Sequence, residues 1–276
     1  MEEYKKVLWA GIIVIFLIGF GFGIYYFFFH GKSEAPLYLE EVKEEPSGAQ
    51  AEEQAKPEGE RVLTGRELNL NKSDSLVRRL AVKLSSHKKI AQWLKNEDLV
   101  RKFVAVVDNI AYGMSPRVHL EFLAPQKKFQ VVKRGDLFYL NPASFSHYNL
   151  VAEVFASLNT EECVKLYWEL KPLIQEAYLE LGYPNRDFHD TLFRTIVELL
   201  ETPIVDDDIV VEKKVVTYMM VDPKLENLRE GQKHLLRMGS GNVRKIQAKL
   251  RDFARIFGFE ESQLPEPAYY TPRRGR

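Results

Sequence analysis

The sequence predicts a mainly α protein with a minor β-hairpin and one extended segment, arranged as a single amino-terminal transmembrane helix followed by a helical soluble domain. Three observations lead there. Residues 7–29 carry no charged side chain, helical apolar spacing recurs from about residue 73 to 257, and strand-type signals are confined to two short stretches.

Composition bounds the rest. The 276 residues hold 39 Lys+Arg against 39 Asp+Glu, with 45% apolar and 12% aromatic residues. Such a chain is too hydrophobic to be disordered throughout and can bury one sizeable core or two small ones. The charge balance gives no overall pull toward nucleic acid or an acidic polymer. Collagen-like, disulfide-stapled and polytopic membrane classes are excluded, and the single cysteine, Cys163, allows neither an internal disulfide nor a multi-Cys zinc site.

As a helix, the uncharged run from Val7 to Phe29 is about 35 Å long, enough to cross a bilayer core. Trp9 near one end and Tyr25 and Tyr26 near the other suit the two membrane interfaces. The run outlasts a usual signal-peptide core and ends without a small-x-small cleavage site, which predicts an uncleaved signal anchor and the lipid bilayer as a partner. Lys5, Lys6 and the amino terminus precede the span, whereas one Lys and then a mainly acidic stretch follow it. This places residues 1–6 in the cytoplasm and the remainder outside it, in the periplasm if the membrane is a Gram-negative inner membrane. Gly19 and Gly23 have the small-xxx-small spacing of close helix pairs, so a homodimer through them is a secondary expectation.

Residues 30–69 read as a disordered acidic linker. From 31 to 69 there are ten acidic and five basic side chains, with Pro36, Pro46 and Pro57. A flexible tether of this length reaches roughly 35 Å. From residue 70 onward 32 basic residues face 27 acidic ones, so the overall neutrality cancels a positive domain against a negative linker.

The domain is expected over 70–258. Ser73-Asp74 is a candidate cap for a helix carrying Leu76, Val77, Leu80 and Leu84, and Ile90, Trp93 and Leu94 continue the pattern. Asn96-Glu97-Asp98 opens a helix with Leu99, Phe103, Val106, Val107 and Ile110 on one side, ended by Gly113 and Pro116. Residues 129–132 and 137–140 flank Lys133-Arg134-Gly135-Asp136 as a hairpin, so the Arg-Gly-Asp tripeptide is read as a turn. A helical block starts near Tyr148. Asn159-Thr160 then caps a helix to Leu181 whose apolar face centres on Cys163, a core position, and Pro172 is expected to kink or restart it. Asp187 to Leu200 forms another helix, 209–221 is extended, and helices over about 223–238 and 242–257 complete the domain. A flexible Pro/Arg-rich tail over 259–276 follows.

Chemistry is sparse. His30, His87, His119, His147, His189 and His234 are scattered without metal-ligand spacing, and no cofactor or catalytic motif is found. Asp187-Phe188-His189-Asp190 is read as helix capping, and Asp206-Asp207-Asp208 as a solvated acidic loop. Gly239-Ser240-Gly241-Asn242 lacks the Lys-Ser/Thr of a phosphate loop and is read as a helix-helix turn capped by Asn242.

The last helix is more informative. Val243, Ile246, Leu250, Phe253, Ala254 and Phe257 share an arc, while Arg244, Arg251 and Arg255 lie about 80° to 120° away and Lys245 and Lys249 stand on the other flank. Lys233, His234 and Arg237 extend the cationic set upstream. These eight residues are the candidate surface for an anionic envelope polymer, a lipid headgroup or an acidic envelope protein. Nucleic acid is disfavoured because no stacking aromatics punctuate the helix.

Four blocks resemble a family. Leu99-Val100-Arg101-Lys102-Phe103-Val104-Ala105-Val106-Val107-Asp108-Asn109-Ile110-Ala111 is followed by Ser115-Pro116, and Lys171-Pro172-Leu173-Ile174-Gln175-Glu176-Ala177-Tyr178 by Leu181-Gly182-Tyr183-Pro184. The third is Lys214-Val215-Val216-Thr217-Tyr218, and the fourth runs from Gln232 to Gly239 and into Asn242 to Leu250. Together they resemble the bacterial membrane-protein family called domain of unknown function 3014, with a departure at Ser240, where the family pattern has Pro. The resemblance implies an anchor, a variable linker and a helical module, and carries no activity. The leading expectation is therefore a non-catalytic binding or scaffolding module in the cell envelope. The alternative is a tethered hydrolase of an envelope polymer using carboxylates such as Asp108, Asp187 and Asp190.

Overall fold

The computed structural model describes residues 69–273 apart from 126, 128 and 216. The span at 7–29, with Gly19 and Gly23, lies outside the described residues, and no helix among those described is long and apolar enough to cross a membrane.

The described residues form nine α-helices and a four-stranded sheet, a mainly helical fold. The helices are α1 (Ser73–Leu80), α2 (Lys88–Trp93), α3 (Leu99–Ala111), α4 (Asn149–Ala156), α5 (Thr160–Glu180), α6 (Phe188–Leu200), α7 (Pro223–Glu226), α8 (Glu230–Leu236) and α9 (Ser240–Phe257). The strands are β1 (Val131–Arg134), β2 (Leu137–Leu140), β3 (Val210–Lys213) and β4 (Tyr218–Met220).

The main core lies among α1, α3, α5, α6 and α9. Val104, Leu173, Tyr178, Phe188 and Leu200 are each at most 1% exposed, and side chains of this size gain roughly 1.5–3 kcal/mol each on full burial. α5 follows its predicted bounds closely, with Asn159 accepting from the Glu162 N–H at 3.0 Å. It runs through Pro172 as one helix. Its buried face turns toward Val164, Tyr167, Leu170, Leu173, Ile174, Ala177 and Tyr178, which leaves Cys163 at the edge of the face and Leu181 exposed. Asp187 caps α6, accepting from the His189 N–H at 2.8 Å.

The predicted hairpin forms with its first strand displaced two residues toward the turn. Arg134 and Leu137 pair, so the turn shrinks to Gly135 and Asp136, with Gly135 at φ 60 as a two-residue turn with Gly first requires. The segment 209–221, expected merely as extended, is a second hairpin. Phe138 pairs with Val211 and Val211 with Met220, giving an antiparallel meander in the order β1-β2-β3-β4. Leu140, Ile209, Val211 and Met220 pack on Val205, Leu225 and Leu236 as a second, smaller core. The sequence suggested either one large core or two small ones; the described residues have one large core, this smaller one, and a third cluster of Ile204, Leu235 and Val243.

Three expectations need correction. The helix over 223–238 is two, α7 and α8, because Arg229 is extended and its N–H donates to Gln232 Oε1 at 3.1 Å, which starts α8 afresh. α9 begins at Ser240 behind Gly239, not at an Asn242 cap. Asn242 is buried, and its amide donates to Met238 O at 2.9 Å, Phe145 O at 3.2 Å and Asn149 Oδ1 at 3.0 Å. Ser240 is the first residue of the helix, a position that accepts Pro without loss of a hydrogen bond. Finally, the tail is not loose through residue 273. Ile204 N–H donates to Ala268 O at 2.8 Å, Tyr270 N–H to Ile204 O at 3.0 Å, and Asp222 accepts from the Tyr270 hydroxyl and Arg273 N–H at 2.8 Å each.

Candidate functional site

The faces that the helices turn toward one another do not close completely. They leave a cavity of about 610 Å³ between α3, α5, α6 and α9, walled by Val107, Ile110, Leu170, Ile196, Ile246 and Leu250 among others. The few polar side chains on its wall point elsewhere. Thr195 donates to the Val107 carbonyl at 2.7 Å, the Tyr167 hydroxyl meets His189 Nδ1 at 3.1 Å, and His234 Nε2 meets the Ser115 hydroxyl at 2.8 Å. Each of these groups has a hydrogen-bond partner within the protein, and the remaining wall is almost entirely apolar. Cys163 also stands on this wall, and burial, only partly opposed by the Lys249 cation, pushes its thiol up to about 11. It stays neutral and behaves as a small apolar surface.

The eight basic residues read from sequence come together only in part. Lys233 pairs with Glu230 at 2.7 Å and Glu226 at 3.6 Å. Arg244 pairs with Asp206 and lies 5.8 Å from the Tyr269 ring. Lys245 faces Glu153 at 3.8 Å, and Lys249 donates to Leu158 O at 2.9 Å beside Asp252 at 3.8 Å. Arg251 holds the Pro265 carbonyl and Glu261, the latter at 3.5 Å, and Arg255 meets Asp252 at 3.5 Å. His234 is on the cavity wall. Among the described residues the Arg237 guanidinium has no acidic partner, and neither does that of Arg117, which sequence reasoning passed over. The available signal was the position of Arg117 directly behind Ser115-Pro116, in a short segment with Met114, Val118 and Phe122 exposed.

The carboxylates considered for hydrolysis have other surroundings. Asp187 caps α6 and pairs with Lys171 at 2.9 Å, and Asp190 is exposed in the first turn of the same helix. Asp108 is 5% exposed with one oxygen lacking a hydrogen-bond partner, and burial raises its carboxyl against the opposing Tyr183 hydroxyl and Arg186. Among the described residues no three His, Cys, Asp or Glu side chains converge as a metal set.

The family model described as Protein of unknown function (DUF3014) matches residues 99–254, more than half of the chain. The chain belongs to this family. No curated protein and no solved structure matches it. The DUF3014 match begins at the first residue of α3 and ends three residues before the end of α9, so it takes in the whole sheet and the four helices that enclose the cavity. α1, α2 and the docked tail lie outside the matched DUF3014 region.

Proposed function

We propose that this chain is a non-catalytic binding module that takes an apolar ligand in its interhelical cavity and is held at a membrane by residues 7–29. The observation that carries the reading is the cavity itself. Its volume of about 610 Å³ falls within the roughly 300–1,000 Å³ of small-molecule sites, and such sites favour the space between bundled helices. Walls whose polar atoms are already bonded to the protein favour an apolar occupant over water, which needs several polar partners. The charge pattern around 7–29 supports an inner-membrane location with the domain in the periplasm.

Photolabelling tests the reading. The full chain in phosphatidylcholine nanodiscs is exposed to an uncharged long-chain alcohol bearing a mid-chain diazirine. Saturable adducts on peptides of α3 and α5, reduced by the wall-filling substitution Ile196→Phe, are expected. Adducts restricted to residues 7–29 would refute it. Sidedness is tested separately with a Cys163→Ser, Ser262→Cys chain, which an impermeant maleimide labels in intact cells if the domain is periplasmic and only after lysis if it is cytoplasmic.

A further inference from the structure

The cationic residues read from sequence are largely neutralised by the fold, and this makes the exception informative. Arg237 caps the carboxyl end of α8 between His234 and Met238, and both of those line the cavity. Arg117 begins a short 3-10 turn whose flanking residues, Pro116 and Leu120, line the same cavity. The two segments are tied together by the Ser115–His234 hydrogen bond at 2.8 Å. Glu230 is the carboxylate near Arg237, and it is already engaged by Lys233 at 2.7 Å.

Arg117 follows Ser115 by two residues and Arg237 follows His234 by three, so the Ser115–His234 hydrogen bond brings the two basic residues into one neighbourhood. Both flank the stretch of cavity wall formed by Pro116, Leu120, His234 and Met238. Two cations without a carboxylate partner beside one stretch of wall favour an anion there. In the segment that carries Arg117, Met114, Val118 and Phe122 are 45%, 70% and 36% exposed, apolar surface next in sequence to the cavity-lining Pro116 and Leu120. A ligand matched to this arrangement is apolar along its length and anionic at one end.

We infer that the cavity takes a single-chain carboxylate amphiphile, with its acyl chain between α3, α5, α6 and α9 and its carboxylate against Arg117 and Arg237. The inference rests on the reading of the cavity as a ligand site and adds the chemistry of the ligand. Arginine suits the task because its planar fork offers paired donors to a carboxylate and its charge persists at any physiological pH. The neutral His234 ring beside them is committed to Ser115 and adds an apolar edge to the wall rather than a third charge.

The test compares two probes on the full chain in zwitterionic phosphatidylcholine nanodiscs, palmitic acid and hexadecanol, each with the same mid-chain diazirine. The acid should label α3 and α5 peptides with a half-saturating concentration about tenfold below that of the alcohol. Arg117→Gln with Arg237→Gln should raise the acid value about tenfold and leave the alcohol value unchanged. The charge-conserving pair Arg117→Lys with Arg237→Lys should recover part of the loss, and Arg255→Gln should change neither curve. Equal affinity for acid and alcohol, or an acid curve indifferent to the double Gln variant, overturns the headgroup assignment while leaving the cavity reading intact. Absence of saturable cavity labelling by both probes overturns the two together.

Discussion

The carboxylate of Asp74 closes the amino terminus of α3, accepting the Leu99 N–H at 2.9 Å with one oxygen and the Asp98 N–H at 2.8 Å with the other. The residue adjacent to the helix in sequence, Asp98, does not cap it. Its backbone is left-handed, at φ 56, and its exposed side chain only approaches the half-buried Arg101 at 3.4 Å. Asp74→Ala should therefore cost about 1 kcal/mol, as loss of a helix cap does. Asp98→Gly, which relieves the left-handed backbone, should stay within about 0.5 kcal/mol of the parent. Thermal unfolding followed at 222 nm ranks the two, and a larger loss for Asp98→Gly would reverse the assignment.

Gly239 and Gly241 open α9 two residues apart and should respond oppositely to alanine. Gly239 has φ 85, and a Cβ there would lie 2.6 Å from the Phe145 ring. Gly239→Ala should lose about 2 kcal/mol or more through strain and displacement of Phe145. Gly241 has helical backbone and nothing within 4 Å of a new Cβ. Gly241→Ala should be neutral or stabilising by about 0.5–1 kcal/mol. Chemical denaturation of the two variants distinguishes these outcomes.

Acid should weaken the fold before its carboxylates titrate. His189 and His234 both lie below the ordinary value of 6.5, chiefly through burial. Lys171 adds to the effect at His189 against Asp187 and Asp190, and Arg237, Arg117 and Lys233 add to it at His234 against Glu230. As pH falls through about 6.5 the unfolded chain takes up protons that the folded domain refuses, so stability drops; above that value both rings are neutral in both states and the contribution is flat. Asp108 and Glu198, raised by burial, act in the opposite direction at more acid pH. Tm should fall by a few degrees between pH 7.5 and 5.5, with a shallower slope for His189→Gln. A flat Tm over that interval contradicts the prediction.

Asp222 holds the end of the described chain. It is 3% exposed and accepts from the Lys224 N–H at 2.9 Å as well as from Tyr270 and Arg273. Asp222→Ala should loosen the last described residues without unfolding the bundle, since upstream the tail keeps Leu264 in the main core, the two backbone bonds to Ile204 and the Arg251 contact. Limited trypsin digestion should then cut at Arg273 at least several-fold faster while helical circular dichroism is retained. Unchanged cleavage would place the anchor elsewhere.

Elements with a strong local signal were legible. α5 and α6 follow their apolar periodicity and side-chain caps to within a residue, because both signals lie inside the segment itself. The break between α7 and α8 was hidden, since it depends on one side chain, Gln232, returning to the Arg229 backbone in an otherwise helical run. The start of α3 is legible at Asn96-Glu97-Asp98, but its cap is not, because Asp74 is 25 residues away from the Leu99 it serves.

By itself the sequence determined which segments are helical, which faces are apolar, and that α9 has cationic shoulders. Periodicity encodes those properties residue by residue. Only the tertiary structure decided which cations are neutralised, because their acids come from remote elements, Asp206 for Arg244, Glu153 for Lys245 and Glu261 for Arg251. It also decided that the apolar faces of α3, α5, α6 and α9 stand far enough apart to leave about 610 Å³ between them. A hydrophobic pattern states that a face avoids water. The distance to the opposing face depends on how the helices cross, which no single segment carries.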